Sequence, residues 1–273
     1  LRELAPISDQ GWLTLDAEAK QRLTQPLAAR RVVDFSGPHG WQHSATNLGH
    51  VTAVADAPAE PAPGRGGARD GGVSGLLRKV APLVELRSGF SLPLTALRDV
   101  DRGADDADLE PLDQAARRLA VAENLAVLHG WKGAVTGVSE ACAHEPISLG
   151  KVPGGYPAAV AAAVALLMDS GIVGPYALAI SGEHHKLVSE TTEHGGYPLM
   201  EHLRRILDGP VVWTPGISGA VVLSQRGGDF ILDCGQDISL GYDRHDADSV
   251  ALYLQESLSF HVATPEAAVV LVA

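Results

Sequence analysis

The run ALYLQESLSFHV, residues 251–262, decides the class of fold. Leu252, Leu254, Leu258, Phe260 and Val262 alternate with Tyr253, Gln255, Ser257, Ser259 and His261. Successive side chains of an extended chain point to opposite faces, so this spacing predicts a strand with one apolar and one polar face. Glu256 interrupts the apolar face and needs a partner if it is buried. Working outward, further strands are expected at 83–94, 176–180, 220–224, 230–232 and 268–272. A helix over 111–129 opens on a proline, carries Leu112, Ala115, Leu119 and Ala126 on one face and is capped by Gly130. Others begin at Pro157 and run over 198–209, where Leu199, Leu203, Ile206 and Leu207 form a stripe. Strands and helices mix without the regular βαβ alternation of a doubly wound sheet, and no internal repeat is visible. The fold class is therefore α+β.

Near the start, Ser8 is placed to cap a helix whose stripe is Trp12, Leu15, Ala19 and Leu23, with Leu27 one turn further on. Pro26 breaks that helix. RRVVDFSGPHGW, residues 30–41, then gives a short strand and a Gly-Pro turn. Residues 56–75, DAPAEPAPGRGGARDGGVSG, hold almost nothing that could be buried, which predicts a long exposed loop or extended arm. No phosphate-loop pattern accompanies these glycines.

With 273 residues, 45% of them hydrophobic, the chain can bury one large core or two modest ones. Its 33 acidic residues against 21 basic ones give a formal charge of −12, with no Lys/Arg run to offset it, so no nucleic-acid partner is expected. The longest apolar run, PAAVAAAVALLM at 157–168, is too short to span a bilayer, so no membrane partner is expected. The opening residues are polar and acidic, and Cys142 and Cys234 are too few for a disulfide framework. A cytoplasmic setting is the expectation.

A second stretch raises a chemical question. GEHHKLVSETTEHGGYPLMEH, residues 182–202, holds His184, His185, His194 and His202 among Glu183, Glu190, Glu193 and Glu201. HEXXH is absent, and adjacent His184 and His185 cannot aim at one point from a helix or a strand, so no metal site is expected. Cys142 and His144, in ACAHE, are two ligands without a second pair. There is no GxSxG elbow to mark a hydrolase. Asp99, Asp101, Asp105, Asp106 and Asp108 lack the spacing of a calcium loop and read as a solvated turn before the helix at 111. The residues alone give an α+β protein with a long arm and no assembled catalytic site.

Several segments taken together resemble the family 1 encapsulins, also known as the linocin-like bacteriocin family, which are bacterial shell proteins with the HK97 phage capsid-like fold. They are LAPISDQGW, RRVVDFSGPHGW, GLLRKVAPLVELRSGFSL, DVDRG, GPYALAIS, GYPLMEHLRRILDG, RGGDFILDCGQDISLGYDRHD and VALYLQESLSFHVATPEA, collinear and covering nearly the whole chain. The resemblance implies a single shell protomer over 1–273. It implies an inner-surface helix at 8–29, an extended loop at 49–80, a peripheral domain mainly at 81–134 and 225–265, and an axial domain mainly at 135–224. The arm is longer and richer in Gly and Pro than the family pattern.

Such chains are expected to self-assemble into an icosahedral homo-oligomer and to be non-enzymatic. The enclosed partner would be a cargo protein, a peroxidase or a ferritin-like iron-storage protein, held by an apolar C-terminal targeting peptide. The groove for that peptide is implied at Leu23, Leu27, Arg30, Asp34, Phe35 and Ile238. The five-fold pore is implied at Glu190, Glu193, His194 and Gly195, a ring of negative charge that weakens as His194 protonates, with His202 left out on the following helix. Some members bind flavin through a Trp; here that position is Thr95, so neither flavin nor any other cofactor is expected. A bacteriocin or protease-like activity and a phage capsid protein are the alternative readings.

Overall fold

The computed structural model describes residues 2–54, 75–150, 152–193 and 195–272. Most of the Gly/Pro-rich arm and His194 lie outside them. Along the chain, α1 (Asp9–Thr24) is followed by β1 (Asp34–Ser36), β2 (Ala45–Val54), β3 (Gly75–Pro82), β4 (Val84–Pro93), α2 (Leu94–Asp101) and α3 (Glu110–Leu128). Next come α4 (Val138–Ala141), β5 (Ile147–Ser148), α5 (Tyr156–Asp169), β6 (Tyr176–Ile180), α6 (Gly182–Glu190), α7 (Leu199–Leu207), β7 (Val211–Trp213) and β8 (Ala220–Ser224). The chain then returns through β9 (Phe230–Cys234), β10 (Ser239–His245) and β11 (Ser249–Val262), and β12 (Ala268–Val272) follows.

These strands form two sheets and a ribbon. The first sheet is organised by β11, which pairs antiparallel with β4 along one edge and with β10 and then β9 along the other, while β1 adds parallel to β9. The second sheet runs β5-β12-β8-β6-β7, so the residues of β12 rejoin the unit built from the middle of the chain. Among the described residues β2 and β3 pair only with each other, as an antiparallel ribbon from Ala45↔Pro82 to Val54↔Gly75. The expected extended-loop region 49–80 is thus strand wherever it is described.

The strand at 251–262 is present, but its polar face is not in water. Gln255, Ser257 and Ser259 are all buried, as is Glu256. One face of the sheet is covered by α3, and the other by the base of the β2–β3 ribbon. There the polar residues find partners: the Ser257 hydroxyl accepts from Gln236 N at 2.9 Å, and Ser259 meets the Thr46 hydroxyl. Alternation signals two faces; which of them meets water depends on what packs there.

Asp99 and Asp101 do not lie in a turn, as their composition suggests, but in α2, where Ala96, Leu97 and Val100 are the buried stripe. The Ser8 hydroxyl caps α1 by accepting from Gly11 N at 2.9 Å and also bonds the Asp101 carboxylate, tying the two helices together. α1 then buries Trp12, Leu15, Ala19 and Leu23 on one side, each Leu contributing about 1.5–3 kcal/mol. The Gly37-Pro38 turn that follows β1 needs its glycine: φ is +118°, and a Cβ there would run into the carbonyl oxygen of Cys234.

Candidate functional site

Between β9 and β10 the edge of the first sheet is broken. Gly235 N donates to Ser257 O at 2.9 Å and Ser257 N donates to Gln236 O at 3.0 Å, so two residues oppose one, as in a bulge. The extra length carries Asp237 and Ile238 toward the end of α1. Together with Ala19, Leu23, Leu27, Leu240 and Leu254 they line a groove of about 490 Å³, with Arg30 among its lining residues. The structure therefore brings together four of the six expected groove residues: Leu23, Leu27, Arg30 and Ile238. Asp34 and Phe35 are not among its lining residues. The Asp34 carboxylate accepts from Gly228 N at 2.6 Å in a neighbouring turn, and the Phe35 ring lies 4.7 Å from the Arg30 guanidinium carbon.

Arg30 is bound to the protein itself. Its Nε donates to both carboxylate oxygens of Glu123, at 3.0 and 2.9 Å, and its Nη1 donates to Asp237 at 2.7 Å. Its Nη2 donates at 2.7 Å to Oε2 of Glu123 and at 2.7 Å to Oε2 of Glu256. Here is the partner that Glu256 required. Both glutamates are essentially unexposed, and Glu256 Oε1 has no partner among the described residues. Burial alone would favour a neutral Arg30, but the carboxylates of Glu123, Glu256 and Asp237 outweigh it and hold the guanidinium charged. Burial also pushes Glu256 well above the ordinary carboxyl range, and the negative Glu123 pushes it further, while Arg30 opposes both. Cys234, close by, is pushed up to about 12 by burial and then by the charge of Asp237, so it is no thiolate nucleophile.

Sequence reading missed Glu123 and Asn124. Their signal was present: they fall one turn beyond Leu119 and Ala120 on the buried stripe of α3, where two adjacent polar residues have no place without partners.

A third cluster lies where the ribbon meets the sheet. His39 Nε2 stands 2.7 Å from Asp233 Oδ1, His43 Nε2 stands 3.0 Å from Asp233 Oδ2, and the Thr46 hydroxyl bonds the same carboxylate. Ser36 Oγ lies 3.0 Å from His39 Nε2. Serine and aspartate thus meet the same ring nitrogen, whereas a hydrolytic relay needs them on opposite nitrogens.

In the histidine-rich stretch, Ser181 caps α6, and His184 is buried with Nδ1 2.6 Å from the Tyr156 hydroxyl. His185 is lowered from the usual histidine value by burial and then by Arg204. The following loop is a closed hairpin: Thr192 bridges Pro198, and Glu193 N donates to Tyr197 O at 2.8 Å. His202 lies on the following helix α7, as expected, with Nδ1 2.8 Å from Glu193 Oε2. Glu190 ends α6, 3.7 Å from Lys186, and Gly195 takes a φ of +93° in the hairpin tip. Among the described residues no group of three or more His, Cys, Asp or Glu is placed to hold a metal ion. Thr95 is exposed in the first turn of α2.

Two sheets, a leading helix and a two-stranded ribbon make up a capsid-like fold, and solved structures share it. The virus-like particle from Pyrococcus furiosus matches with a TM-score of 0.62 at 17% identity, covering 96% of this chain and 98% of that one. The capsid of an empty GTA particle matches with a TM-score of 0.54 at 17% identity, covering 92% and 91%. At such identity the likeness is one of fold. Sequence carries the family: a model described as "Encapsulating protein for peroxidase" matches residues 1–259. The type 1 encapsulin shell protein of Rhodospirillum rubrum is 46% identical over 270 residues, 98% of this chain and 94% of that protein. Those of Rhodococcus erythropolis and Mycobacterium tuberculosis are 41% and 39% identical, each covering at least 98% of this chain and 97% of the relative. This chain belongs to the type 1 encapsulin shell protein family, a family of self-assembling shell subunits.

Proposed function

We propose that copies of this chain close into an icosahedral compartment in the cytoplasm, and that the groove beside α1 holds the apolar C-terminal tail of an enclosed enzyme. The observation that carries the tail-binding role is the groove itself, where Leu23, Leu27 and Ile238 offer adjacent apolar surfaces over a charged floor. Apolar anchors seated in such pockets supply affinity, and the flanking polar groups fix direction. A peroxidase or a ferritin-like iron-storage protein is the enclosed partner. The shell chain itself performs no catalysis and takes no flavin at Thr95.

The ribbon supports assembly. Val51, Val54, Leu76, Leu77 and Val80 are each at least half exposed on β2 and β3. One subunit leaves this apolar strip in water, and a neighbouring copy is the natural cover for it. Residues 8–29, 81–134 with 225–265, and 135–224 act as inner helix, peripheral domain and axial domain. The hairpin with Glu190, Glu193, His194 and Gly195 rims the opening where axial domains meet.

Electron microscopy of the purified protein is the first test, with hollow particles of uniform size expected and a monomer fatal to the reading. Replacing Leu27 or Ile238 by Asp should then give shells that form but lack their enclosed protein. Cargo retained in both variants would remove the groove from consideration. A phage capsid protein shares the fold, but the family match favours the compartment. A bacteriocin or protease-like activity gains nothing from the Ser36–His39–Asp233 geometry.

A further inference from the structure

We propose that Asn124 is the positioning residue of the groove, fixing the backbone that presents Leu27 and Arg30 opposite Ile238. The inference rests on the reading of the groove as the tail-binding site. Asn124 is fully buried on α3. Its Oδ1 accepts from Ala28 N at 3.1 Å and from Ala29 N at 2.9 Å. Its Nδ2 donates to Pro26 O at 2.8 Å and to Pro215 O at 3.1 Å. A side-chain amide offers two donors and one oxygen with two lone pairs, so every bond that Asn124 can make is made. The opposite amide orientation would set NH₂ against two N–H groups and oxygen against two carbonyls, so the partners fix which end is which.

The stretch held in this way joins α1 to the short 3-10 turn at Ala29–Arg31 and pairs with no strand. It leaves α1 because Pro26 cannot continue the helix. Ala28 N also donates to Pro26 O at 2.8 Å, but Ala29 N, buried against α3, has Asn124 as its partner among the described residues, and an apolar residue there would strand it. Asn124 meets residues 26, 28 and 29, and its neighbour Glu123 holds Arg30. Two consecutive α3 residues thereby set one wall of the groove, while the bulged edge at 235–238 sets the other. The distance across which an apolar tail must fit is governed by α3, a helix that contributes no residue to the groove lining.

The test compares variants of the full chain as assembled shells. Its probe is the C-terminal peptide of the protein found inside shells purified from the native source, synthesised with a fluorophore. Asn124→Ala removes all four bonds, while Leu119→Ala removes packing one turn away and serves as the control for general destabilisation. Peptide affinity should fall about tenfold or more in Asn124→Ala, the loss expected from one or two hydrogen bonds' worth of misplacement. In Leu119→Ala it should stay near wild type even where the thermal midpoint falls as far. Equal affinities in the two variants would overturn the proposal. Asn124→Asp, which keeps the accepting oxygen and gives up both donors, stands in where Asn124→Ala does not assemble. A loss in that variant beyond that of Leu119→Ala supports the proposal, and wild-type affinity overturns it. Ile238→Asp separates the two levels. If it leaves affinity unchanged, the groove reading has failed and this inference with it. If it abolishes binding while the Asn124 variants do not, only the inference fails.

Discussion

Glu123 and Glu256 share one guanidinium nitrogen: Oε2 of each lies 2.7 Å from Nη2 of Arg30. The two acids come from α3 and β11, and the arginine follows α1, so this single nitrogen joins the helix layer to the central strand and to the groove. With Asp237 on Nη1, three acids surround one cation.

Removing the cation alone should be costly. Arg30→Ala leaves the buried Glu123 and Glu256 side chains facing each other without their shared donor, and a loss of about 3–5 kcal/mol is expected. Replacing Arg30, Glu123 and Glu256 together by Met, Leu and Leu should restore most of that, because the uncompensated charge is gone. Thermal midpoints of the two variants check the order, and a triple variant less stable than Arg30→Ala would contradict it.

The raised Glu256 carboxyl makes stability fall with rising pH. The folded chain keeps a proton there that the unfolded chain releases near its ordinary value of 4.5, so this stabilisation is complete below that value. It declines as pH climbs through the higher folded value. Glu256→Gln keeps a neutral group at every pH and should flatten that decline. A pH series of thermal midpoints on both proteins reads the difference.

Asp233 works in the opposite direction. Burial would raise its carboxyl, but hydrogen bonds from Thr46, His43 and Ser36 and the charge of His39 hold it below the ordinary value of 3.8. Its contribution is present above that value and is lost as pH falls through the lower folded one. Asp233→Ala should cost about 1–3 kcal/mol, since it strands the partners of a buried acceptor. The loss should appear as faster amide exchange at the base of the β2–β3 ribbon before it appears elsewhere.

At the hairpin after α6, His202→Ala frees the Glu193 carboxylate from the imidazole that stands 2.8 Å from it. Cobalt quenching of a fluorescent protein enclosed in the shell should then be faster at neutral pH than in wild type. If the hairpin rims an opening as proposed, Glu193→Gln should slow it, because the hairpin loses a negative charge. Identical quenching in all three shells would sever Glu193 from ion passage.

Much of this was legible in the chain. Ser8, the Trp12–Leu15–Ala19–Leu23 stripe and Pro26 define α1, because caps, helical periodicity and a proline stop are local signals. The strand at 251–262 was equally plain. Less legible was what covered its polar face: Ser259 meets Thr46 of the ribbon, which is distant in sequence. The groove was partly readable. Leu23 and Leu27 follow from α1, but Ile238 reaches it only through a bulge that no pattern marks. Arg30 looked like a contact for an incoming peptide and proves to be tied to Glu123, Glu256 and Asp237, partners far from it along the chain.

The parallel pairing of β1 with β9, Asp34 against Ile231, has a consequence for synthesis. The first sheet cannot close until its central strand, which runs to Val262, has left the ribosome. At about 5–20 residues per second, the nascent chain waits roughly 10–50 s after Asp34 emerges. One wall of the groove is made at the beginning of translation and the other near residue 238, so the groove stays open on one side through most of synthesis. The order of the strands therefore makes the groove one of the last features of the subunit to be completed.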